Sequence, residues 1–90
     1  MKTHELKIDI KYFEDVKKGI KTFELRKNDR DFKVGDILIL KEYYQGDIDY
    51  TEGIYTSPHY TNREITKEII YILEGGQYGL QKGYVILGIK

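Results

Sequence analysis

The stretch Gly19-Ile20-Lys21-Thr22-Phe23-Glu24-Leu25-Arg26 decides how this chain is read. A glycine closes what reads as a helix, and the residues after it alternate as a strand. Side chains alternate across a strand, so Thr22, Glu24 and Arg26 share one face and Phe23 and Leu25 the other. The alternation predicts that Phe23 and Leu25 enter a core, while the opposite face presents a carboxylate beside a guanidinium. Lys21 has the opposite parity to Glu24. The two meet in one cleft only where Lys21 lies in the turn ahead of regular strand geometry, or where a bulge intervenes.

Upstream, Leu6 and Ile8 alternate with Glu5 and Lys7 as a half-buried first strand over His4 to Asp9. Asp9 is suited to cap a helix whose apolar stripe is Ile10, Phe13, Val16 and Ile20, about three turns long. Gly19 stands where a left-handed residue ends such a helix. Downstream, Asn28-Asp29-Arg30-Asp31 is a polar turn, and Ile37-Leu38-Ile39-Leu40 is an apolar run that predicts a strand covered on both sides, with the helix packed outside. Residues 45–60 read as a long loop or a loose hairpin through Ile48, Tyr50, Ile54 and Tyr55. Arg63 to Leu73 is a long strand with Ile65, Ile69, Tyr71 and Leu73 on one face, and Tyr84 to Ile89 is the last. Gly75, Gly76 and Gly79 permit a tight connection before it; no phosphate-loop pattern is present.

Ninety residues make one domain, 1–90, with a single modest core. There is no cysteine, which excludes disulfides and thiolate metal sites. No signal core or membrane-length apolar run is visible, so the expectation is a cytoplasmic protein with no membrane role, taken as a monomer. Net charge is zero, but residues 17–33 hold seven basic against three acidic residues, and residues 42–53 hold four acidic and no basic ones. The first region attracts phosphates and the second repels them, unless both are ordinary solvated charge.

The spacing G-x-K-x-x-E-x-R, carried by Gly19, Lys21, Glu24 and Arg26, resembles the signature of the ASCH domain, a relative of the PUA-like β-barrels. The likeness continues through His4 to Lys7, Arg26 to Phe32, Val34 to Leu38, Tyr60-Thr61, Arg63 to Ile65 and Gly83 to Leu87. These flanks look like the DUF3850 group, a phage- and bacterium-associated branch of ASCH-like proteins. The resemblance implies an α+β fold: a small PUA-like mixed β-barrel of five to six strands with one or two flanking helices. It also implies a cleft at the barrel mouth lined by the signature residues. The family is thought to bind RNA; some members cleave RNA and others deacylate acetylated cytidine. The deacylating branch has a threonine three residues after the lysine, where this chain has Glu24. That difference moves the expectation from deacylation toward binding.

The residue chemistry points the same way. Lys21 and Arg26 suit a phosphate or a base edge, and Glu24 suits a base amino group or, in an enzyme, a general base with Lys21 stabilising charge. Glu24 and Arg26 also suit simple mutual pairing. Lys27 and Arg30 extend a phosphate track, with Lys33 better explained as a solvated turn and Asp29 as a turn-former. Of the nine tyrosines, Tyr12, Tyr71 and Tyr84 are expected to pack, whereas Tyr43, Tyr44, Tyr50, Tyr55 or Tyr60 can stack on a base in a cleft. Arg63 is placed near that cleft, and Asn62 before it tolerates a left-handed turn. His4 and His59 are read as structural or surface residues, with no metal site and no cofactor expected. RNA or a nucleotide is the expected partner. The alternatives are a hydrolase of RNA or of a modified nucleoside, and a phage–host protein-interaction module using residues 42–60.

Overall fold

A computed structural model describes residues 1–49 and 54–90. The elements run β1 (Thr3–Asp9), α1 (Ile10–Lys17), β2 (Phe23–Lys27), β3 (Ile37–Tyr44), β4 (Asp47–Asp49), β5 (Ile54–Thr56), β6 (His59–Glu74) and β7 (Tyr84–Ile89). Five strands form one mixed sheet in the order β1-β3-β6-β7-β2, and β4 pairs with β5 in a separate antiparallel hairpin. Among the described residues only β1 and β3 pair in parallel, joined by the crossover that contains α1 and β2. The hairpin matches the loose pairing read through Ile48, Ile54 and Tyr55. Tyr50 lies outside the described residues, and so does the Tyr55 side chain.

The sheet does not close into a barrel. Its edge strands β1 and β2 instead meet across an open seam, which side chains span. The Arg26 Nη2 donates to the Lys7 carbonyl, and the Arg30 Nη1 donates to the Glu5 carbonyl at 3.0 Å. Both carbonyls lie on the edge of β1 that β3 leaves free, because backbone groups alternate sides along a strand.

The core lies on the concave face. Leu6 and Ile8 of β1, Leu38 and Leu40 of β3, Ile69 of β6 and Val85, Leu87 and Ile89 of β7 are all buried there. Phe13 and Val16 of α1 join the same cluster, so the helix plugs the concave side and does not pack outside it. Ile37 and Ile39 are correspondingly half-buried: the apolar run of β3 has one buried face, not two. The helix is also shorter than its stripe suggested. Asp9 caps it by accepting the Lys11 amide, and Gly19, at φ +75°, ends it. The Gly19 amide bonds to the Val16 carbonyl and the Ile20 amide to the Asp15 carbonyl, a Schellman closure that turns Ile20 out to solvent.

Two irregularities in β6 redirect its side chains. Between the pairs Lys41↔Glu64 and Tyr43↔Tyr60, three residues of β6 oppose the single Glu42, and Asn62 sits there at φ +71°, the left-handed turn its sequence allows. A second shift between Ile69 and Tyr71 swaps the faces. Ile72, not Tyr71, therefore packs against the core with Ile65, and Tyr71 is exposed. Gly75 is needed for a close approach: a Cβ there would lie 2.1 Å from the Gln81 carbonyl oxygen.

A buried polar clamp joins the first strand to the turn before β3. Asp36 accepts from the backbone N–H of Lys2 and of Lys33 at 2.9 and 3.1 Å, and its Oδ2 lies 2.8 Å from His4 Nε2. A carboxylate only accepts, so Nε2 carries the proton. The His4 ring meets Phe32 edge-on at 4.8 Å, which makes His4 structural. No helix among the described residues is long and apolar enough to cross a membrane.

The His4 hydrogen bond, helped by the two amides, lowers the Asp36 pKa from 3.8 to about 2. The folded state thus favours the ionised form, and the unfolded chain takes up the proton first. The clamp's contribution is complete above about pH 4 and is lost as pH falls through about 2. Urea titrations of wild type should show a midpoint that drops across this window. Asp36→Asn should lower the midpoint at pH 7 and remove most of that drop; an unchanged acid profile in the variant would rule the clamp out as its source.

Candidate functional site

The signature strand is turned opposite to its apolar pattern. Glu24 is only 4% exposed, whereas Phe23 and Leu25 are 46% and 54% exposed. Opposite Glu24 and Arg26 on β7 stand the fully buried Leu87 and Val85, so both polar residues point to the concave, core side. An isolated carboxylate there would be strongly disfavoured by lost hydration. Its neighbours remove the difficulty. Lys21 Nζ donates to Oε1 at 3.0 Å, and Arg26 donates to Oε2 through Nε at 3.1 Å and Nη2 at 3.0 Å.

Lys21 reaches Glu24 because it precedes the strand. β2 begins at Phe23, and the Lys21 amide is still bonded to the Asp15 carbonyl of the helix end. The parity conflict is resolved by the turn, with no bulge needed. Lys21 Nζ also lies 4.9 Å from the ring centre of Tyr12 and 4.8 Å from that of Phe23. Tyr12, expected in the core, is instead 40% exposed and forms part of this setting.

These groups line a cleft of about 440 Å³ at the seam, with Lys7, Ile8 and Asp9 of β1 on one wall and Phe23 to Arg26 on the other. Arg26 uses Nε and Nη2 in its bonds to Glu24 and Lys7, and no bond to Nη1 is found among the described residues. Chemically, the cleft offers two oriented cations, each retaining donors, beside the apolar side chains of Ile8, Tyr12, Phe23 and Leu25, with Lys7 and the Asp9 carboxylate on the facing wall.

The other predicted residues divide. Arg30 and Tyr60 line a neighbouring depression outside β1, together with Lys7, Arg26 and Lys41. Lys27 falls on the opposite face of β2 from Arg26 and lines neither hollow. Arg63 lies away from the signature cleft: its guanidinium stacks over Phe13 at 4.5 Å and bonds Glu14, with buried Glu42 at 3.8 Å. Thr61 Oγ1 donates to Glu42 at 2.6 Å. The Arg63 hydrogen bond lowers the Glu14 pKa, and Glu14 in turn raises that of Arg63. This arginine ties the long strand to the helix. Lys33 pairs with Asp31 at 3.3 Å in an exposed turn. Lys7, Lys41 and the aromatic setting of Lys21 escaped the sequence reading, since they are brought in by strand pairing, which no local spacing encodes.

Replacing Glu24 with Gln should leave two cations side by side without their shared anion. Removing one member of a buried pair costs roughly 3–5 kcal/mol, and about 3 is expected because both cations keep some solvent contact. Chemical denaturation measures this. Sulfate should raise the Tm of Glu24→Gln more than that of wild type; equal shifts would mean that the cations are not set free.

Comparison with known proteins finds a family profile, described as "Domain of unknown function (DUF3850)", that matches residues 3–89. The chain is also similar to a phage protein, the "Uncharacterized 12.9 kDa protein in GpA 3'region" of Escherichia phage P2. The two are 51% identical over 45 residues, which is 50% of this chain and 41% of the relative. The aligned part thus spans less than half the length of that relative.

Proposed function

The chain belongs to the DUF3850 family, and from that premise we propose that the seam cleft binds RNA or a nucleotide, in a PUA-like domain of the ASCH type. The observation that carries the reading is the arrangement of Glu24, buried and holding Lys21 and Arg26 by both oxygens at the edge of an open cleft. A carboxylate so placed is a positioning device. It keeps two long cationic side chains from the rotamer freedom they would otherwise lose on binding. What it positions is suited to a phosphate: a lysine point charge beside a planar guanidinium. The cleft volume lies within the usual range for small-molecule sites, roughly 300–1,000 Å³, and its apolar wall suits a base or sugar.

The same geometry favours binding over hydrolysis. Both Glu24 oxygens already accept from cations and the residue is only 4% exposed, so little of the carboxylate is open to a water it would have to deprotonate. Affinity then rests on a few phosphate contacts, each contributing a slope of about −0.7 in log K against log salt for a single strand.

The test is titration of labelled single-stranded RNA and of uridine monophosphate at low salt. The variant is Lys21→Gln/Glu24→Gln/Arg26→Gln, which removes all three charges and leaves no unpaired carboxylate. Loss of two charge-assisted contacts should weaken binding at least tenfold, at roughly 1.5–3 kcal/mol each. Equal binding by both proteins, or none by wild type, would sink the cleft assignment.

A further inference from the structure

The signature cleft is not the most cationic hollow on the surface. Its neighbour across β1, of about 380 Å³, is lined by Lys7, Arg26, Arg30 and Lys41 against the single carboxylate of Glu5, with Tyr60 at its far side. Lys7 and Arg26 line both hollows, so the two adjoin at the free edge of β1. In a chain of zero net charge, this concentration of cations is local.

The outer face is also built to present an aromatic surface. Tyr43 and Tyr60 are cross-strand partners, and their rings meet edge-on with centres 5.0 Å apart. Lys7 Nζ lies 4.4 Å from the Tyr43 ring centre, which braces that ring, while Tyr60 stays 48% exposed. The cations here have weak competitors. Lys41 pairs at 3.3 Å with Glu5, and both side chains are solvent-exposed, so the pair is screened and easily exchanged for a phosphate. Arg30 is held by a backbone carbonyl, with its nearest carboxylate, Asp29, 4.0 Å away. One strand, β3, separates β1 from Tyr60 on β6, so the path is two inter-strand steps, about 10 Å at the usual strand spacing. That distance exceeds what one phosphate contact covers.

We propose that the ligand is a single-stranded polynucleotide whose chain leaves the signature cleft, crosses the β1 edge over Arg26 and Lys7, and continues on the outer face, with phosphate on Arg30 and Lys41 and a base stacked on Tyr60. This rests on the binding reading of the cleft and adds a direction and a second subsite to it. Backbone contact plus aromatic stacking is tolerant of sequence, because every base has a π-face.

The experiment compares uridine 5′-monophosphate with labelled uridylate and deoxyuridylate hexamers. It uses wild type, Arg30→Gln/Lys41→Gln and Tyr60→Ala, with thermal melts confirming that each variant is folded. The hexamer should bind wild type more tightly than the monophosphate does. Both outer-face variants should weaken the hexamer roughly tenfold while holding the monophosphate within about twofold, and the double variant should lower the hexamer's salt slope by about 1.4. Hexamer binding unchanged in both outer-face variants, but lost in the cleft triple variant, would overturn the outer track and leave the cleft reading standing. Failure of wild type to bind any probe would overturn both. Equal affinity for the two hexamers marks a track that ignores the sugar, and a preference for the uridylate hexamer assigns the ligand to RNA.

Discussion

A carboxylate on the core side of a small sheet is the constraint from which the rest of this structure follows. Glu24 shares its face with Leu87 and Val85, and an ion so placed is tolerated only with partners that restore what hydration supplied. Two are needed, one for each oxygen. Arg26 supplies the first from the next position on the same strand face. The second must come from outside the strand, since the only other nearby cation on β2, Lys27, has the wrong parity. That is why the chain ahead of β2 matters. The Gly19 closure ends α1 in a turn that keeps the Lys21 backbone bonded to the helix while its side chain reaches back to Oε1.

Turning the polar face inward exposes Phe23 and Leu25, and the reason shows how far sequence reading reaches. Alternation along 22–26 was legible, and so was the grouping of Lys21, Glu24 and Arg26. Which face is buried was not, because apolar-in is a rule about desolvation, and a carboxylate with two cations meets that rule by pairing. Tyr71 and Ile72 exchanged roles for a different reason. One extra residue at Ile70 reverses every side chain beyond it, and nothing in the local pattern of Ile69 to Leu73 marks the shift. Asn62 was legible, since its conformation is a property of the residue type. Its consequence, Arg63 aimed at Glu14 of the helix, depends on a contact forty-nine positions away.

The expected barrel failed to close at one place, between β1 and β2. Closure would require the free backbone groups of both edges to pair directly. Instead Arg26 and Arg30 insert their side chains and bond the β1 carbonyls themselves. Arg26 cannot both hold Glu24 and lie outside the seam, so the interaction that stabilises the buried carboxylate also keeps the two edges apart. The open edge is thereby guarded by charge, a common protection against unwanted strand addition.

The cleft is then a by-product of the seam, and its chemistry is inherited from it. A closed sheet would bury Lys21 and Arg26 entirely, and a seam without Glu24 would leave two mobile cations in solvent. The observed arrangement sits between these: the cations are oriented from behind by a buried anion and open in front to whatever enters between the strands. Preorganisation of this kind raises affinity by lowering the ordering cost of binding without adding contacts. It also argues for a ligand that brings its own negative charge, because the site holds cations whose one buried counter-ion is already shared between them.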